Sequence, residues 1–568
     1  MRIIRIYSLL SIILFYTNGF AQKYEAENGQ LIGVQVAKSL TGYSGTGYVT
    51  GFDNDGDKVV IKFTAEKASK SSLFVGYAAS SGDKSNFVYV NGENQGNILF
   101  SKTTKFKEVS IGNIQLKEGE NTVTIEKSWG WFEVDYIRFD LPADVTKWDI
   151  SPSPINPKAS TEAVSLYKFL LSNFGKTTFA GQFQDAGKTY AASTGELEYI
   201  HNLTTKYPAL YGNDLIDYSP SRILYGASSK VTEDVVNWYT KMGGMVTLTW
   251  HWNAPTDLYN TDENKWWSGF YTRATSFDID WVLKNPDSEK YEMMISDIDA
   301  IAVQLKKLQA QKIPVLWRPL HEAEGAWFWW GAKGPDACVA LWKLLYDRLT
   351  NYHGIDNLIW VWTTTDSPST LNWYPGDDYV DILGVDVYLG DADYSASASM
   401  FNNLRTIYKG KKMLTMSENG TIPDPAKTFA LDAPWLYFCT WTGPFINGGK
   451  QNEKTHINYV FNHENITTLD ELNKNWNKFV GIEKIGGKKK SINYYPNPVN
   501  DCLHIELEGV ELPLSVSLLT LTGSVLYSSF EKQTTRAFNI PMQHLDKGIY
   551  LVKLNFKDEQ QLIKIVKE

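Results

Sequence analysis

Glu322 follows His321 at the end of the apolar run Val315-Leu-Trp-Arg-Pro-Leu, and Trp327, Trp329 and Trp330 come within the next eight residues. A carboxyl beside so much indole is poorly hydrated, which raises its pKa and lets it donate a proton near neutral pH. Flat aromatic rings are also what the C–H face of a pyranose stacks on. A second carboxyl, Glu418 of Ser417-Glu-Asn-Gly420, closes another apolar run almost a hundred residues later. Glycoside hydrolysis needs two carboxyls flanking one bond: one protonates the leaving oxygen, the other attacks or activates water. The competing reading of Glu322 is a buried glutamate held by a structural partner in an aromatic core.

To face each other across one bond, the two glutamates need a rigid frame. Eight apolar runs supply it, at 177–184, 209–214, 245–252, 315–322, 358–364, 381–388, 413–418 and 435–441. Most are separated by helix-length intervals, such as 295–311 with its amphipathic repeat. This pattern predicts a (β/α)8 TIM barrel with enlarged loops, the largest after Trp252. A doubly wound open sheet is the alternative, and no Gly-rich phosphate loop supports it. Barrel active sites form at the carboxyl ends of the strands. There the fourth run ends in His321-Glu322 and the seventh in Ser417-Glu418, which stand across the mouth from each other. The third closes with Trp250-His-Trp-Asn253, the sixth with Asp386-Val-Tyr388 and the eighth with Trp441. Arg318 shares the strand parity of Glu322, so it either satisfies a buried carboxylate or meets substrate.

Acids at the ends of strands four and seven, the run Trp317-Arg-Pro-Leu-His-Glu322 with Trp327 five residues on, and Asp386-Val-Tyr388 together resemble glycoside hydrolase family 26. The resemblance runs from about Ile155 to Trp476, and the family's best known members are endo-β-1,4-mannanases. It implies a retaining mechanism with Glu322 as general acid/base and Glu418 as nucleophile. It further implies that His321 helps keep Glu418 ionised and oriented, that Tyr388 approaches the nucleophile, and that His251, Trp327 and Trp441 line the flanking subsites. Asp386 would support this network. Trp266 and Trp267 lie in the long loop where the family places subsite aromatics, and Trp267 is the one chosen. Glu324, two residues past the expected acid, is its obvious rival.

Residues 22–142 read as short alternating strands, among them 59–63, 73–77, 87–90, 122–125 and 134–139, which predicts an antiparallel β-sandwich. Ser128-Trp-Gly-Trp131 carries more aromatic surface than a loop needs, so Trp129 and Trp131 are candidate ligand platforms, Trp129 favoured. The opening Tyr24-Glu-Ala-Glu27, the loop Tyr43-Ser-Gly-Thr-Gly-Tyr-Val-Thr-Gly-Phe52 and the closing Val134-Asp-Tyr-Ile-Arg-Phe139 resemble carbohydrate-binding modules of families 35 and 6. That resemblance implies a structural calcium on Glu25, Glu27 and Asp135, and hard oxygen donors without Cys or His suit that ion. Ordinary surface acids are the other reading.

Pro152, Pro154 and Pro157 mark the join to the barrel domain, assigned to 143–485. Residues 491–568 return to β alternation. Their Tyr495-Pro-Asn-Pro-Val-Asn-Asp501 opening, Leu521-Thr-Gly-Ser-Val525 centre and Leu545-Asp-Lys-Gly-Ile-Tyr-Leu-Val552 hairpin resemble the carboxyl-terminal sorting domain of type IX secretion. At the other end, Arg2 and Arg5 precede the apolar run 6–15 and Gly19-Phe-Ala21, the pattern of a signal peptide over 1–21. The run is too short for a stable transmembrane helix. Export through the periplasm to the surface or the medium follows as the expectation.

A net charge of −9 over 568 residues, with basic residues only in short clusters such as Lys488-Lys-Lys490, excludes nucleic acid as a partner. Three widely spaced cysteines, Cys338, Cys439 and Cys502, make no disulfide framework or metal spacing and predict buried free thiols. The expected protein is therefore a monomer in three parts that cleaves β-1,4-mannosidic bonds of mannan, glucomannan or galactomannan without a catalytic cofactor. The same barrel acting on β-1,3-xylan or mixed-linkage β-glucan is one alternative. A non-catalytic surface glycan-binding protein is another, although a pure binder has no need of the carboxyl pair.

Overall fold

The structure is a computed structural model that describes residues 22–568 apart from 66–67, 141–145, 368, 474, 480–490, 509–511, 521–524, 530–534 and 557–559. The expected signal peptide, the Lys488–490 cluster and most of the 521–525 centre lie outside the described residues. The chain forms two compact units, Met1–Phe479 and Val480–Glu568.

Eight parallel strands make the heart of the first unit: β1 (Thr178–Phe183), β2 (Leu210–Asp214), β3 (Met245–Trp250), β4 (Val315–Pro319), β5 (Leu358–Thr363), β6 (Ile382–Val387), β7 (Met413–Asn419) and β8 (Tyr437–Thr440). Each pairs with its neighbour in order, and β1 pairs with both β8 and β2, so the sheet closes. Closure excludes the open-sheet alternative. A short strand, Ile466–Thr467, adds to β1 from outside the ring.

Alternation along each strand sorts side chains between two cores. Leu316, Ile359, Val361, Ile382 and Met413 point inward, where the helix Thr161–Asn173 contributes Leu166 and Leu170 to the same cluster. Trp317, Trp360 and Trp362 point outward against the surrounding helices. This parity turns Arg318 into the barrel with Leu316, wholly buried, and lifts the following residues to the mouth.

The helix expected over 295–311 spans Glu289–Ala310. It starts earlier because the Ser288 side chain caps it, accepting from the Tyr291 N–H. Its Asp297 is 2% exposed and accepts a 2.8 Å hydrogen bond from Trp252 Nε1. Burial, only partly offset by that bond, pushes the Asp297 carboxyl up to about 7. The folded state therefore keeps a proton that the unfolded chain releases near pH ~3.9. Stability from this group is complete below that pH and falls as pH rises towards 7, by at most ~4 kcal/mol. Asp297→Asn accordingly melts above the wild type at pH 8 and with it near pH 4; equal midpoints at both values would refute this.

The sandwich of the first unit has one sheet that includes Tyr48–Thr50, Glu133–Asp140, Ser69–Ala79 and Thr103–Leu116. The facing sheet orders Gln30–Ile32, Lys58–Ala65, Gly119–Glu126, Lys84–Val90 and Glu93–Phe100. The five expected strands are all present. The sandwich docks on the barrel helix Ala398–Ile407, the loop before it and the helix Pro425–Ala430: Asn94 N–H donates to Ser395 Oγ at 2.8 Å, and Glu93 pairs with Lys427. At the closest approach Gly112 has φ +104°, and a Cβ there would sit 3.0 Å from Ser399 Oγ. Only glycine suits that backbone.

The second unit holds two antiparallel sheets, Ser491–Tyr495 with Cys502–Glu508 and Ala537–Pro541, and Val525–Ser529 with Ser515–Thr520, Gly548–Asn555 and Gln560–Lys567. Leu503, Ile505, Leu518, Val552 and Ile565 form its core. All three cysteines are free; Cys338 and Cys439 are buried, whereas Cys502 is only half-buried because it opens a strand next to a turn. Among the described residues no helix is long and apolar enough to cross a membrane.

Candidate active site

β4 and β7 bring Glu322 and Glu418 together with Asp386 of β6, one oxygen of each lying within 4.8 Å of the others. Arg318, rising between them, donates to Glu418 Oε2 at 2.5 Å and to Asp386 Oδ2 at 2.7 Å. Tyr388 donates its hydroxyl to the other oxygen, Glu418 Oε1. Glu418 thus meets only donors, and the carboxylate is the form they bind. Asp386 also accepts from Ser417 Oγ at 2.8 Å, which fixes the plane of its carboxylate. The three acids invite a metal reading, but a buried guanidinium already bridges two of them and would repel a cation.

Glu322 sits just beyond β4 with φ +53°, and Leu320 and Ala326 also have positive φ. Such non-glycine residues cost roughly 1–3 kcal/mol each and persist only where surrounding contacts impose them. Trp327 folds back over the turn and donates its Nε1–H to Glu322 Oε2 at 2.9 Å. Burial and then the Glu418 charge raise the Glu322 pKa, while Trp327 and Arg318 partly offset them. The pair therefore differs as hydrolysis requires: one carboxyl has its pKa raised, and the other is held by donors. Their nearest oxygens lie within 4.8 Å, close enough for the pairing of a retaining enzyme, whose carboxyl groups stand roughly 5–5.5 Å apart.

His321 departs from expectation. It does not touch Glu418: its Nε2 lies 3.1 Å from His251 Nε2 and its Nδ1 3.2 Å from Thr249 Oγ1. Burial, with the His251 and Arg318 charges adding to it, holds its pKa well below the ordinary value, so the ring is neutral. Thr249 spends its proton on the Arg318 carbonyl at 2.9 Å and accepts from His321 Nδ1–H. The bare Nε2 of His321 then accepts from His251, whose Nδ1–H donates to Asp214 Oδ2 at 2.6 Å. Burial opposes ionisation of Asp214, but the His251 charge and its hydrogen bonds hold this carboxyl below the usual range. Orientation of Glu418 falls instead to Arg318 and Tyr388.

Trp441 packs 5.6 Å from His251 and 5.0 Å from Phe183, on the far wall of the site. Trp327 and Tyr388 are 48% and 43% exposed, open to a ligand. Trp329 and Trp330 are buried walls that donate to Trp252 O and His321 O. Glu324 turns away to Thr365 and Thr370 and does not join the pair. Trp267 is 54% exposed beside Trp266, which stacks on Tyr225 at 5.0 Å; neither contacts the carboxyls.

In the sandwich, Trp129 and Trp131 are both exposed, at 61% and 55%, so neither is a core residue. Asn86 Oδ1 accepts from the N–H of Ser128 and of Gly130, both at 2.9 Å, and shapes the loop that presents them. Glu25, Glu27 and Asp135 converge on the 44–47 turn, where Asp135 and Glu25 accept from Ser44 and Glu27 from Thr46. Burial and the nearby Glu25 push Asp135 up to about 6, against the Ser44 hydrogen bonds. Glu27 Oε2 is buried without a hydrogen-bond partner. Hard carboxylate oxygens without Cys or His suit calcium, but among the described residues the oxygens of these three acids do not gather within 4.8 Å of one another as those of the active-site acids do.

Asp214, Thr249 and Ser417 complete the site without having been singled out from sequence. Asp214 closes an expected strand run, which was the available signal; Thr249 and Ser417 each precede a strand-end residue that drew the attention.

Residues 155–471 match Glycosyl hydrolase family 26, residues 22–142 a carbohydrate binding module of family 35, and residues 493–568 a secretion system C-terminal sorting domain. The sorting domain indicates export, to the surface or the medium. A mannan endo-1,4-beta-mannosidase of Thermothelomyces thermophilus is 44% identical over 80% of this chain and 90% of its own. The crystal structure of a Podospora anserina GH26-CBM35 beta-(1,4)-mannanase is 43% identical with a TM-score of 0.57, covering 80% of this chain and 99% of that one. A ruminal GH26 endo-beta-1,4-mannanase is 30% identical with a TM-score of 0.59 over the same shares. With more than half of its length matched and the strand-end carboxyls in one site, the chain belongs to glycosyl hydrolase family 26.

Proposed function

We propose that this chain is an exported endo-β-1,4-mannanase that works by double displacement, with Glu322 as general acid/base and Glu418 as nucleophile. The observation that carries the reading is one raised carboxyl and one donor-held carboxyl with oxygens within 4.8 Å. Glu418 attacks the anomeric carbon of the bound mannosyl unit while Glu322 gives its proton to the leaving glycosidic oxygen. The C–O bond to the leaving sugar breaks and an ester to Glu418 forms. Glu322, now a carboxylate, takes a proton from water, which displaces Glu418 and restores the hemiacetal with the original configuration. Arg318 and Tyr388 hold Glu418 on line. His251, neighbour of His321, Trp327 and Trp441 border the sugar between the two acids, and Asp386 steadies Arg318. Trp267 belongs to a more distant sugar.

Mannan as the substrate rests on the relatives, one of them named a mannan endo-1,4-beta-mannosidase and another a GH26-CBM35 beta-(1,4)-mannanase. Product time courses on galactomannan and manno-oligosaccharides test it. Early loss of viscosity and short manno-oligosaccharides are expected; turnover of β-1,3-xylan or mixed-linkage β-glucan alone, or binding with no turnover, would overturn it.

In the sandwich, Trp129 and Trp131 would stack on a sugar, and Glu25, Glu27 and Asp135 would hold a structural calcium. Retardation in a mannan gel should fall in Trp129→Ala and Trp131→Ala, and chelation should lower the sandwich's melting temperature; no change in either would remove these roles. The route runs through the periplasm and type IX export, and the enzyme acts as a monomer.

A further inference from the structure

Glu324 has a use apart from the pair. Its Oε1 accepts from Thr370 Oγ1 at 2.5 Å and from the Thr365 N–H at 3.2 Å, and its Oε2 from Thr365 Oγ1 at 2.8 Å. These partners lie beyond β5, and they are themselves anchored. Thr370 is fully buried and bonds Thr364 Oγ1 at 2.7 Å, which bonds the Tyr408 hydroxyl at 2.6 Å at the end of the helix Ala398–Ile407. The carboxylate is therefore tied to a fixed point on the barrel wall.

What it ties down is the turn Ala323–Gly325, with Glu322 at one side and Trp327 at the other. Glu322 and Ala326 flank that turn in left-handed backbone, which the chain does not hold without outside contacts. Trp327 lies so close over Gly325 that a Cβ there would fall 1.9 Å from the ring, so the indole that binds Glu322 rests on this same turn. The far side is held from the β3 loop, where Thr272 donates its N–H to Trp327 O at 2.8 Å and its hydroxyl to Ala326 O at 2.9 Å. Glu324 is the side-chain tether of the middle of the turn.

We propose that Glu324 is a positioning residue, which through Thr365 and Thr370 keeps the Glu322–Trp327 turn in the geometry from which Glu322 gives its proton. The proposal rests on Glu322 being the general acid. It implies a defect confined to steps that need that proton, because neither Arg318 nor Tyr388 nor Glu418 touches the tether.

The test compares mannopentaose, whose leaving sugar needs protonation, with a 2,4-dinitrophenyl β-mannobioside, whose leaving group departs without it. Glu324→Ala should lower kcat on mannopentaose by about 10²-fold, with KM within about two-fold and kcat/KM on the aryl glycoside within about three-fold of wild type. Glu324→Gln, which keeps the acceptor towards Thr370, should recover at least a tenth of the loss. Thr370→Val, which removes one anchor of the Glu324 carboxylate and leaves the turn's own residues intact, should show the same substrate pattern more weakly. Equal losses on both substrates, or none on either, would overturn the proposal. Glu322→Ala serves as the reference. If it shows no leaving-group dependence, the acid assignment itself is wrong; if it does and Glu324→Ala does not, only the tether is refuted.

Discussion

Glu418→Ala should lose roughly 10⁴- to 10⁶-fold in kcat on mannan, the range for removal of an essential nucleophile, equivalent to about 5–8 kcal/mol of transition-state stabilisation. No neighbouring group can replace it. Asp386 is the nearest other carboxylate on that side, and it is held by Arg318 and Ser417 with its oxygens engaged. The cavity left by the truncated side chain admits a small anion beside Arg318, and an activated leaving group departs without help from Glu322. Azide should therefore rescue cleavage of an activated aryl β-mannobioside and give the α-mannosyl azide, because a single displacement inverts the centre. Melting curves of the variant separate loss of chemistry from the cost of leaving Arg318 one carboxylate short. More than about one per cent of wild-type activity, or a β-configured azide product, would remove Glu418 from the nucleophile's role; the one per cent bound is an order-of-magnitude criterion.

Glu322→Ala should fail differently. Cleavage of mannan should fall by about 10²- to 10⁴-fold, the usual range for a general acid, whereas the first step on a dinitrophenyl glycoside should survive. The glycosyl-enzyme then accumulates, since no base activates water, and added azide should discharge it with net retention. The pH profile carries a second signature. Burial and the Glu418 charge raise the Glu322 pKa, so activity should fall on the alkaline side as pH rises through that raised value. The alkaline limb on mannan should disappear from the slow reaction of the aryl substrate with Glu322→Ala. A limb unchanged in the variant would assign that titration to another group.

The eight barrel strands were legible because each is buried on both faces and reads as an apolar run, with every expected run overlapping a strand of the closed sheet. The carboxyl pair was legible because strand ends are where barrels place chemistry. Contacts made between elements were not. Arg318 could be assigned only by parity, which left a carboxylate partner and a substrate contact equally open until the ring of strands put Glu418 and Asp386 in reach. His321 adjoins Glu322 in sequence, yet the left-handed turn after β4 aims it at His251 and Thr249 on β3 and beyond, so its expected contact with Glu418 does not form. The same turn sends Glu324 away from Glu322 although only Ala323 lies between them. Trp129 and Trp131 read from sequence equally as platforms or packed rings, because their exposure depends on the loop that Asn86 shapes.

The nearest oxygens of the two carboxyls lie within 4.8 Å, one carboxyl has its pKa raised and the other is held by Arg318 and Tyr388, and this arrangement predicts retention. Proton NMR of the anomeric signals during rapid hydrolysis of mannopentaose reads that outcome directly. The first new reducing ends should be the β-anomer, with the α-anomer growing in only at the rate of mutarotation. Appearance of the α-anomer first would contradict the double displacement through Glu418.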